Sequence, residues 1–350
     1  MTDSYPENAI VNAKLAACMI ILRYYIIPKT RLRAFASRLV GKKVATLQHM
    51  IANATIRWLS TRFPNSTHII FYIHGGGFVS GSSASVTPYL LQLSVDLQAR
   101  GLQADMFTAE YDLAPESPYP VALRQVVSAY RHIASQNKPI ILAGDSAGGN
   151  LCLGLLRHLA KPHPSISPVQ QNLQESGRII AACLTSPWVN LKNNGDSYRL
   201  NANRDCLDKR ALDRWGGAYL DGEPLDEYVN PIDCIDGWEE ILPQHTLLIS
   251  GDLDLFVADV QNLSENIVKL SLPFNCIPTK SLANFFIQSG YNNLEVYIAP
   301  MKGHVWNLVD FGQTQPGQPA AQGNEDEAHV YAGIHLQADW MVKRCPGRVM

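Results

Sequence analysis

The sequence has no apolar stretch long enough to cross a lipid bilayer. Its longest uninterrupted apolar run is Leu15–Leu22, and this run continues to Ile27 only across Arg23. Because a membrane-spanning helix needs about 20 mostly apolar residues, we predict no stable membrane span. A secretory signal is not predicted either, since Lys14 lies late in the segment and no clean small-x-small cleavage site follows.

Net charge and a cysteine framework are also lacking. The 350 residues include 29 Lys and Arg against 31 Asp and Glu, so the net charge of −2 predicts no general attraction to nucleic acid. The seven cysteines are odd in number and show no C-x-x-C spacing, which argues against zinc modules and disulfide scaffolds. We therefore expect reduced thiols, a cytoplasmic protein, and no metal or other cofactor.

The near-neutral charge conceals a basic N-terminal part. Between Ile10 and Val95 the chain has ten Lys and Arg and no Asp or Glu. The favoured interpretation is a solvated basic face on helices that cover the core. Peripheral association with an anionic membrane, as in a membrane-bound lipid hydrolase, is the alternative.

Short β-rich runs alternate with longer helical patterns from residue 67 onward. The predicted strands are Thr67–Ile73, Ala104–Tyr111, Pro139–Gly144, Ile179–Thr185, His245–Ser250 and Leu294–Ala299. The main predicted helices are Tyr89–Ala99, Pro120–Gln136, Ala147–Ala160 and Val330–Lys343. This alternation is typical of βαβ units, so the fold class is α/β, with a mostly parallel central sheet flanked by helices.

Two stretches show no core strand. We predict that residues 1–60 and the insertion 188–240 form the two parts of one helical cap, while 61–187 and 241–350 form the α/β core. Pro273 and Pro278 interrupt the helical pattern within 262–290, which is interpreted as an insertion near the rim of the site.

The sequence Gly144-Asp145-Ser146-Ala147-Gly148-Gly149 matches G-x-S-x-G between a predicted strand and a predicted helix. A strained turn in this context exposes the serine hydroxyl, and small neighbours let the strand and helix pass closely. Ser146 is therefore the candidate nucleophile. A glycine-rich turn without catalytic function is the alternative.

His74-Gly75-Gly76-Gly77 directly follows the first predicted strand. Consecutive glycines free the backbone to aim N–H groups at a developing oxyanion. A phosphate-binding loop is the competing interpretation, but neither GK[ST] nor G-x-G-x-x-G is present.

The ordered motifs resemble the hormone-sensitive-lipase-like group of the α/β-hydrolase superfamily. They are His74–Phe78 with Gly81-Ser82, Tyr111–Glu116 with Pro120, Gly144–Asn150, Ser186-Pro187-Trp188 and Gly251–Asp259. Asp112 replaces the usual Arg of YRLAPE, and DLFVAD from Asp254 replaces D-P-L-x-D-E. This pattern is similar to the steryl acetyl hydrolase-like branch.

The resemblance implies an α/β-hydrolase fold with triad residues in the order Ser, acid, His. Three carboxylates follow the strand His245–Ser250, and alignment to the family motif favours Asp254 as the acid. Asp252 and Asp259 remain alternatives, as does a simple helix-capping role.

The base is predicted to be His304, because it follows the last predicted strand. His329 and His335 lie in the terminal helical pattern and are interpreted as surface or packing residues. In the implied mechanism, His304 takes the proton of Ser146 and Asp254 stabilises the resulting imidazolium. The implied oxyanion donors are the backbone N–H groups of Gly76, Gly77 and Ala147.

The leading hypothesis is an enzyme that cleaves a carboxylic ester with a short to medium acyl group and an apolar alcohol. A biosynthetic thiohydrolase that releases a polyketide-type acyl chain is the alternative within the fold. A non-catalytic receptor is the alternative of another class, although the presence of His304 argues against it. Candidate substrate contacts are Phe78, Trp188, Trp215 and Tyr219.

Overall fold

A computed structural model describes most of the chain from residue 48 onward. The described residues are 48–51, 54–58, 65–169, 177–234, 236–271, 284–288, 293–312 and 325–346.

A nine-stranded sheet runs through the described residues. Its strands are β1 (Gln48–Ile51), β2 (Ala54–Trp58), β3 (His68–Ile73), β4 (Ala104–Glu110), β5 (Ile140–Asp145), β6 (Ile179–Thr185), β7 (His245–Gly251), β8 (Asn284–Gln288) and β9 (Asn293–Ala299). Their order across the sheet is β1-β2-β4-β3-β5-β6-β7-β9-β8. The pairings from β4 to β9 are parallel, and the pairings β1–β2, β2–β4 and β8–β9 are antiparallel. The predicted fold class with a mostly parallel sheet is confirmed.

Helices connect and cover the strands. They are α1 (Val86–Ala99), α2 (Val121–Ala134), α3 (Ala147–Ala160), α4 (Ser197–Leu200), α5 (Lys209–Leu220), α6 (Trp238–Ile241), α7 (Val257–Ser271), α8 (Trp306–Gly312) and α9 (Glu325–Arg344). A short 3-10 helix spans Pro231–Asp233.

Both faces of the sheet are buried, as the continuous apolar runs predict for parallel strands. Alternate residues of β3 show this division. Ile69, Phe71 and Ile73 lie in the core layer that contains α2, α3 and α7. Ile70 and Tyr72 lie in the opposite layer, with α1, α8 and α9. The sheet thus lies between two layers of helices, and the loops at the ends of its strands are the part of the sheet that the helices do not cover.

The prediction that residues 1–60 are helical is wrong for the part described. β1 and β2 form a hairpin, and β2 pairs with β4 from Thr55↔Glu110 to Trp58↔Phe107. The physical reason is that β4 would otherwise present an unpaired edge, which the hairpin covers. Residues 1–47, including Leu15–Ile27, lie outside the described part of the chain.

The predicted insertion at 262–290 is partly an extra edge strand. α7 extends to Ser271, and β8 pairs antiparallel with β9 from Asn284↔Tyr297 to Gln288↔Asn293. β8 and β9 follow one another in the chain, and their pairing satisfies backbone groups along the edge of β9. Residues 272–283 lie outside the described part.

The segment 188–240 contains α4, α5, the 3-10 helix and α6, and it lies between β6 and β7 in the chain. It contacts the loop after β3, since the rings of Phe78 and Tyr219 stack with centroids 3.8 Å apart. Its role as a cap over the site stays a prediction. Among the described helices, none combines the length and apolar character that crossing a membrane requires.

The chain crosses itself very closely where β5 turns into α3. A Cβ atom built on Gly148 would lie 2.0 Å from the carbonyl oxygen of Ile73 and 2.6 Å from the carbonyl carbon of His74. Both neighbours are backbone atoms, so relief would require moving β3 itself. Glycine at position 148 is therefore a packing requirement of this turn.

We expect Gly148→Ala to destabilise the fold by about 3 kcal/mol or more, because the added methyl overlaps backbone atoms. Gly217→Ala is the matched control, since Gly217 lies within α5 and an added Cβ meets nothing within 4 Å. There alanine should raise the unfolding free energy by about 0.5–1 kcal/mol through its better helix propensity. Urea unfolding of the three proteins measures both effects, and equal stability of the two variants would contradict the packing argument.

Candidate active site

Ser146 occupies the turn between β5 and α3 in a conformation that side-chain-bearing residues rarely adopt, with φ 51° and ψ −120°. Hydrogen bonds hold its peptide groups from both sides. Its N–H donates to the carbonyl of Thr185 at 2.9 Å, and its carbonyl accepts from the N–H of Trp188 at 3.0 Å. These bonds to the end of β6 and to the residues that follow it stabilise the strained turn.

His304 lies in the turn between β9 and α8, with its ring against Ser146. Its Nε2 is 2.9 Å from the Ser146 Oγ, while its Nδ1 is 3.2 Å and 3.4 Å from the two carboxylate oxygens of Asp254. An ionised carboxylate only accepts hydrogen bonds, so Nδ1 carries the proton and Nε2 accepts from the serine hydroxyl. The structure thus brings together three side chains that are far apart in sequence.

Asp254 lies in the loop between β7 and α7 and has no exposed surface. It accepts hydrogen bonds from the hydroxyls of Ser250 (3.1 Å) and Ser186 and from the N–H of Phe256 (2.9 Å). Burial works to raise the pKa of Asp254. The charge and hydrogen bond of His304, together with the Ser186 hydroxyl and the Phe256 N–H, hold that pKa below its ordinary value.

The pKa of His304 is shifted in the direction that favours its protonated form. Burial works to lower this pKa, but the negative charge and hydrogen bond of Asp254, with smaller contributions from Asp205 and Asp145, raise it above the ordinary value. The protonated form of the His304 ring is therefore stabilised next to the Ser146 hydroxyl.

The alternative acids and bases lie elsewhere. Asp252 is exposed. Asp259 lies on α7, where its carboxylate accepts a hydrogen bond from the Asn190 amide at 3.0 Å. His335 lies on α9 and pairs with Asp96 at 3.4 Å. The side chain of His329 is outside the described part of the chain.

The glycine loop after β3 has two residues in left-handed conformations, Gly76 at φ 109° and Gly77 at φ 60°. Ala147 follows Ser146 and begins α3. Within the described part of the chain, the N–H groups of these three residues donate no hydrogen bond. A Cβ on Gly76 would lie 2.4 Å from the carbonyl oxygen of Ser80, so glycine is required there sterically as well.

Asp145, which was not predicted as a site residue, anchors this glycine loop. Its Oδ1 accepts from the Tyr72 hydroxyl at 2.5 Å and from the N–H of Gly75 at 2.9 Å. Tyr111 adds a second anchor, because its hydroxyl donates to the carbonyl of His74 at 2.8 Å and its ring stacks on the imidazole ring of His74. The available signal was an ionisable residue at the end of an otherwise apolar strand.

The four aromatic residues proposed as substrate contacts separate into two groups. Phe78, Trp188 and Tyr219 have at most 1% of their surface exposed, and their rings stack on one another. They belong to the core because large apolar rings stabilise more by burial than by contact with solvent. Trp215 is partly exposed and lies beside Gly77, where a built Cβ would be 2.6 Å from its ring.

One group of side chains among the described residues could offer three ligand atoms to a metal ion, namely Glu227, Cys234 and Asp236. The Arg157 guanidinium already pairs with both carboxylates of this group. The cluster is thus organised as an ion pair around a protein cation, and it lies outside the contacts of Ser146 and His304.

The anchoring of Asp145 can be tested through stability. Burial raises the pKa of Asp145, and the Tyr72 hydroxyl opposes that rise. Tyr72→Phe should lower the unfolding free energy by about 1–3 kcal/mol, because a buried carboxylate loses a donor. Removing the donor raises the pKa of Asp145 further, so the deficit should be largest where the carboxylate is ionised and should shrink as pH falls through that pKa.

The measurement is urea unfolding over a pH series from weakly acidic to neutral. Tyr219→Phe is the matched control, because the buried Tyr219 hydroxyl has no hydrogen-bond partner among the described residues. Its loss should be neutral or slightly stabilising at every pH. A pH-independent deficit in Tyr72→Phe would contradict the role assigned to its hydroxyl.

Comparison with known proteins assigns the sequence to a family. Residues 70–286 match the family described as alpha/beta hydrolase fold. An esterase from Acinetobacter venetianus is 35% identical over 208 residues, covering 57% of this chain and 61% of its own. An acetyl-hydrolase from Streptomyces hygroscopicus is 30% identical over 178 residues, covering 49% and 53%. The chain therefore spans less than two thirds of the length of either relative.

The solved structure of a hormone-sensitive lipase from a metagenome library superposes with a TM-score of 0.67 at 22% identity, covering 96% of this chain and 98% of the other. At that identity the likeness concerns the fold alone. The more specific resemblance to the steryl acetyl hydrolase-like branch stays a prediction. The chain belongs to the alpha/beta hydrolase fold family.

Proposed function

We propose that the protein hydrolyses carboxylic esters through an acyl-enzyme on Ser146. The observation that carries this proposal is the 2.9 Å contact between the Ser146 Oγ and the His304 Nε2, with the His304 Nδ1 on buried Asp254. Nucleophile, base and orienting acid are thus connected in the order that activates a serine hydroxyl.

In the first half of the reaction, the Ser146 Oγ attacks the ester carbonyl carbon while His304 takes its proton. The imidazolium is stabilised by the carboxylate of Asp254. The tetrahedral oxyanion is stabilised by the N–H groups of Gly76, Gly77 and Ala147, the last at the N-terminus of α3. Collapse breaks the bond to the alcohol, which leaves with the proton from His304.

In the second half, His304 takes a proton from water, and the hydroxide equivalent attacks the acyl carbonyl. The same N–H groups stabilise the second oxyanion, and collapse returns the proton to the Ser146 Oγ. The products are a carboxylic acid and an alcohol, and no further reactant is needed.

We propose an ester with a short acyl group, acetate being the simplest, and a larger apolar alcohol. The acetyl-hydrolase among the relatives and the resemblance to the steryl acetyl hydrolase-like branch support the short acyl group. Trp215, partly exposed beside Gly77, is the proposed apolar contact for the substrate.

Ser146→Ala should lower kcat/KM on p-nitrophenyl acetate by about 10⁴-fold or more, because the covalent route is lost. A fluorophosphonate should label wild-type protein at Ser146 and leave the variant unlabelled. Ser135→Ala is the control, since Ser135 is exposed at the end of α2 and should leave both readouts unchanged. A wild type that hydrolyses neither ester nor thioester and takes no label would favour a receptor on the same fold.

The choice of acid is tested by two matched substitutions. Asp254→Asn should lower kcat by about 10³–10⁴-fold, because the amide no longer holds the His304 tautomer or stabilises its cation. Asp252→Asn, two residues away and exposed, should stay close to wild type. Steady-state kinetics on the same ester decides between them, and a comparable loss in Asp252→Asn would refute the assignment of Asp254.

A further inference from the structure

Three buried polar side chains are spaced four residues apart in the segment between β6 and β7. They are Ser197, Asn201 and Asp205, which are 2%, 5% and 8% exposed. All three bond to residues 252–258, which comprise the loop that carries Asp254 and the start of α7. We call these three residues the clip.

Ser197 and Asn201 bind the backbone of the loop directly. The Ser197 hydroxyl donates to the carbonyl of Leu255 and accepts from the N–H of Ala258 at 3.3 Å. The Asn201 amide donates to the carbonyls of Asp252 and Asp254, at 3.0 Å each. The backbone on both sides of the Asp254 side chain is therefore held by groups from outside the loop.

Asp205 connects this loop to the turn that carries His304. Its Oδ2 accepts from the N–H of Leu255 at 2.7 Å, and its Oδ1 accepts from the N–H of His304 at 3.0 Å. The same Oδ1 accepts from the N–H of Cys206 at 2.6 Å. One carboxylate thus fixes the peptide that follows Asp254 against the peptide that precedes the His304 side chain.

The charge of Asp205 also acts on the imidazole. Burial and the nearby charge of Asp254 raise the pKa of Asp205 to about 6, while His304 and the backbone donors oppose the rise. Above that pH the ionised carboxylate helps to raise the pKa of His304. The titratable groups facing His304 are Asp254, Asp205 and Asp145, and those facing Asp205 are Asp254, His304 and Cys206.

We propose that the clip is a positioning element for the reaction, with Asp205 as the charged residue that holds His304 in register with Asp254 and stabilises its cation. The proposal rests on the function proposed for Ser146 and His304. No clip side chain contacts Ser146 in the described structure, so its effect on chemistry passes through Asp254 and His304. The segment predicted to cap the site would then also determine the geometry of its acid and base.

Asp205→Asn is the main test. The amide keeps the shape of the Asp205 side chain and removes its negative charge, and it replaces one accepting oxygen with an NH₂ donor that faces a backbone N–H. We expect kcat on p-nitrophenyl acetate to fall about 10- to 100-fold from misplacement of the imidazole, with KM little changed. The acid limb of kcat/KM should also move to lower pH, because losing a negative charge lowers the pKa of His304, so the imidazole stays neutral down to a lower pH.

Asn201→Ser separates position from charge. It shortens the side chain that holds the loop but removes no charge, so kcat should fall while the acid limb stays at the wild-type pH. Asp196→Asn is the control, because this exposed carboxylate lies just before the clip and should change neither kcat nor the pH profile. Thermal unfolding of each variant reports whether it is folded.

An Asp205→Asn protein with wild-type kcat and an unmoved acid limb would overturn the proposal. If this variant does not fold, Asn201→Ser decides, since a folded Asn201→Ser protein with wild-type kcat would overturn the positioning role. These outcomes differ from failure of the proposed function, in which wild type itself neither turns over esters nor takes the fluorophosphonate label. That last result would overturn both proposals together.

Discussion

The sharp turn at Ser146 is the constraint on which the rest of the site depends. It requires β5 to end within hydrogen-bond reach of β6, since the Ser146 N–H donates to Thr185 at 2.9 Å. It also requires α3 to pass β3 so closely that a Cβ on Gly148 would lie 2.0 Å from the Ile73 carbonyl oxygen. The parallel strands around β5 therefore position the hydroxyl, and the loops after β7 and β9 bring Asp254 and His304 to it.

Buried negative charge is the second organising feature. Asp145, Asp205 and Asp254 all lie within the electrostatic reach of His304, and each is satisfied differently. Asp145 has a tyrosine hydroxyl and a backbone N–H, Asp205 has three backbone N–H groups, and Asp254 has the imidazole and two serine hydroxyls. Such carboxylates are costly to bury unless paired, so their donors also fix the loops that carry them.

Aromatic packing also supports the His304 ring. Tyr219 stacks on Phe78, Phe78 on Trp188, and Trp188 on Phe256, whose edge meets the His304 ring with centroids 4.8 Å apart. Close-packed protein interiors have low compressibility and transmit strain between side chains in contact. This column therefore connects α5, in the predicted cap segment, to the imidazole through rigid contacts.

The sequence by itself determined the elements whose signal is local. β3 to β7 and β9 follow from runs of β-branched and aromatic residues, and the turn at Ser146 follows from glycines between a strand and a helix. The order of motifs along the chain was enough to select Asp254 over Asp252 and His304 over His335 as the groups expected near Ser146. Only the tertiary structure decided the edge strands β1, β2 and β8, the burial of Phe78, Trp188 and Tyr219, and the contacts of Asp145 and Asp205. The physical reason is that ring burial, the choice of hydrogen-bond partner and the pairing of β2 with β4 depend on groups far away in the chain, which no local pattern of residues records. β1 and β8 pair with strands next to them in the chain, but a two-stranded hairpin is only marginally stable by itself, so these strands depend on the sheet that they extend.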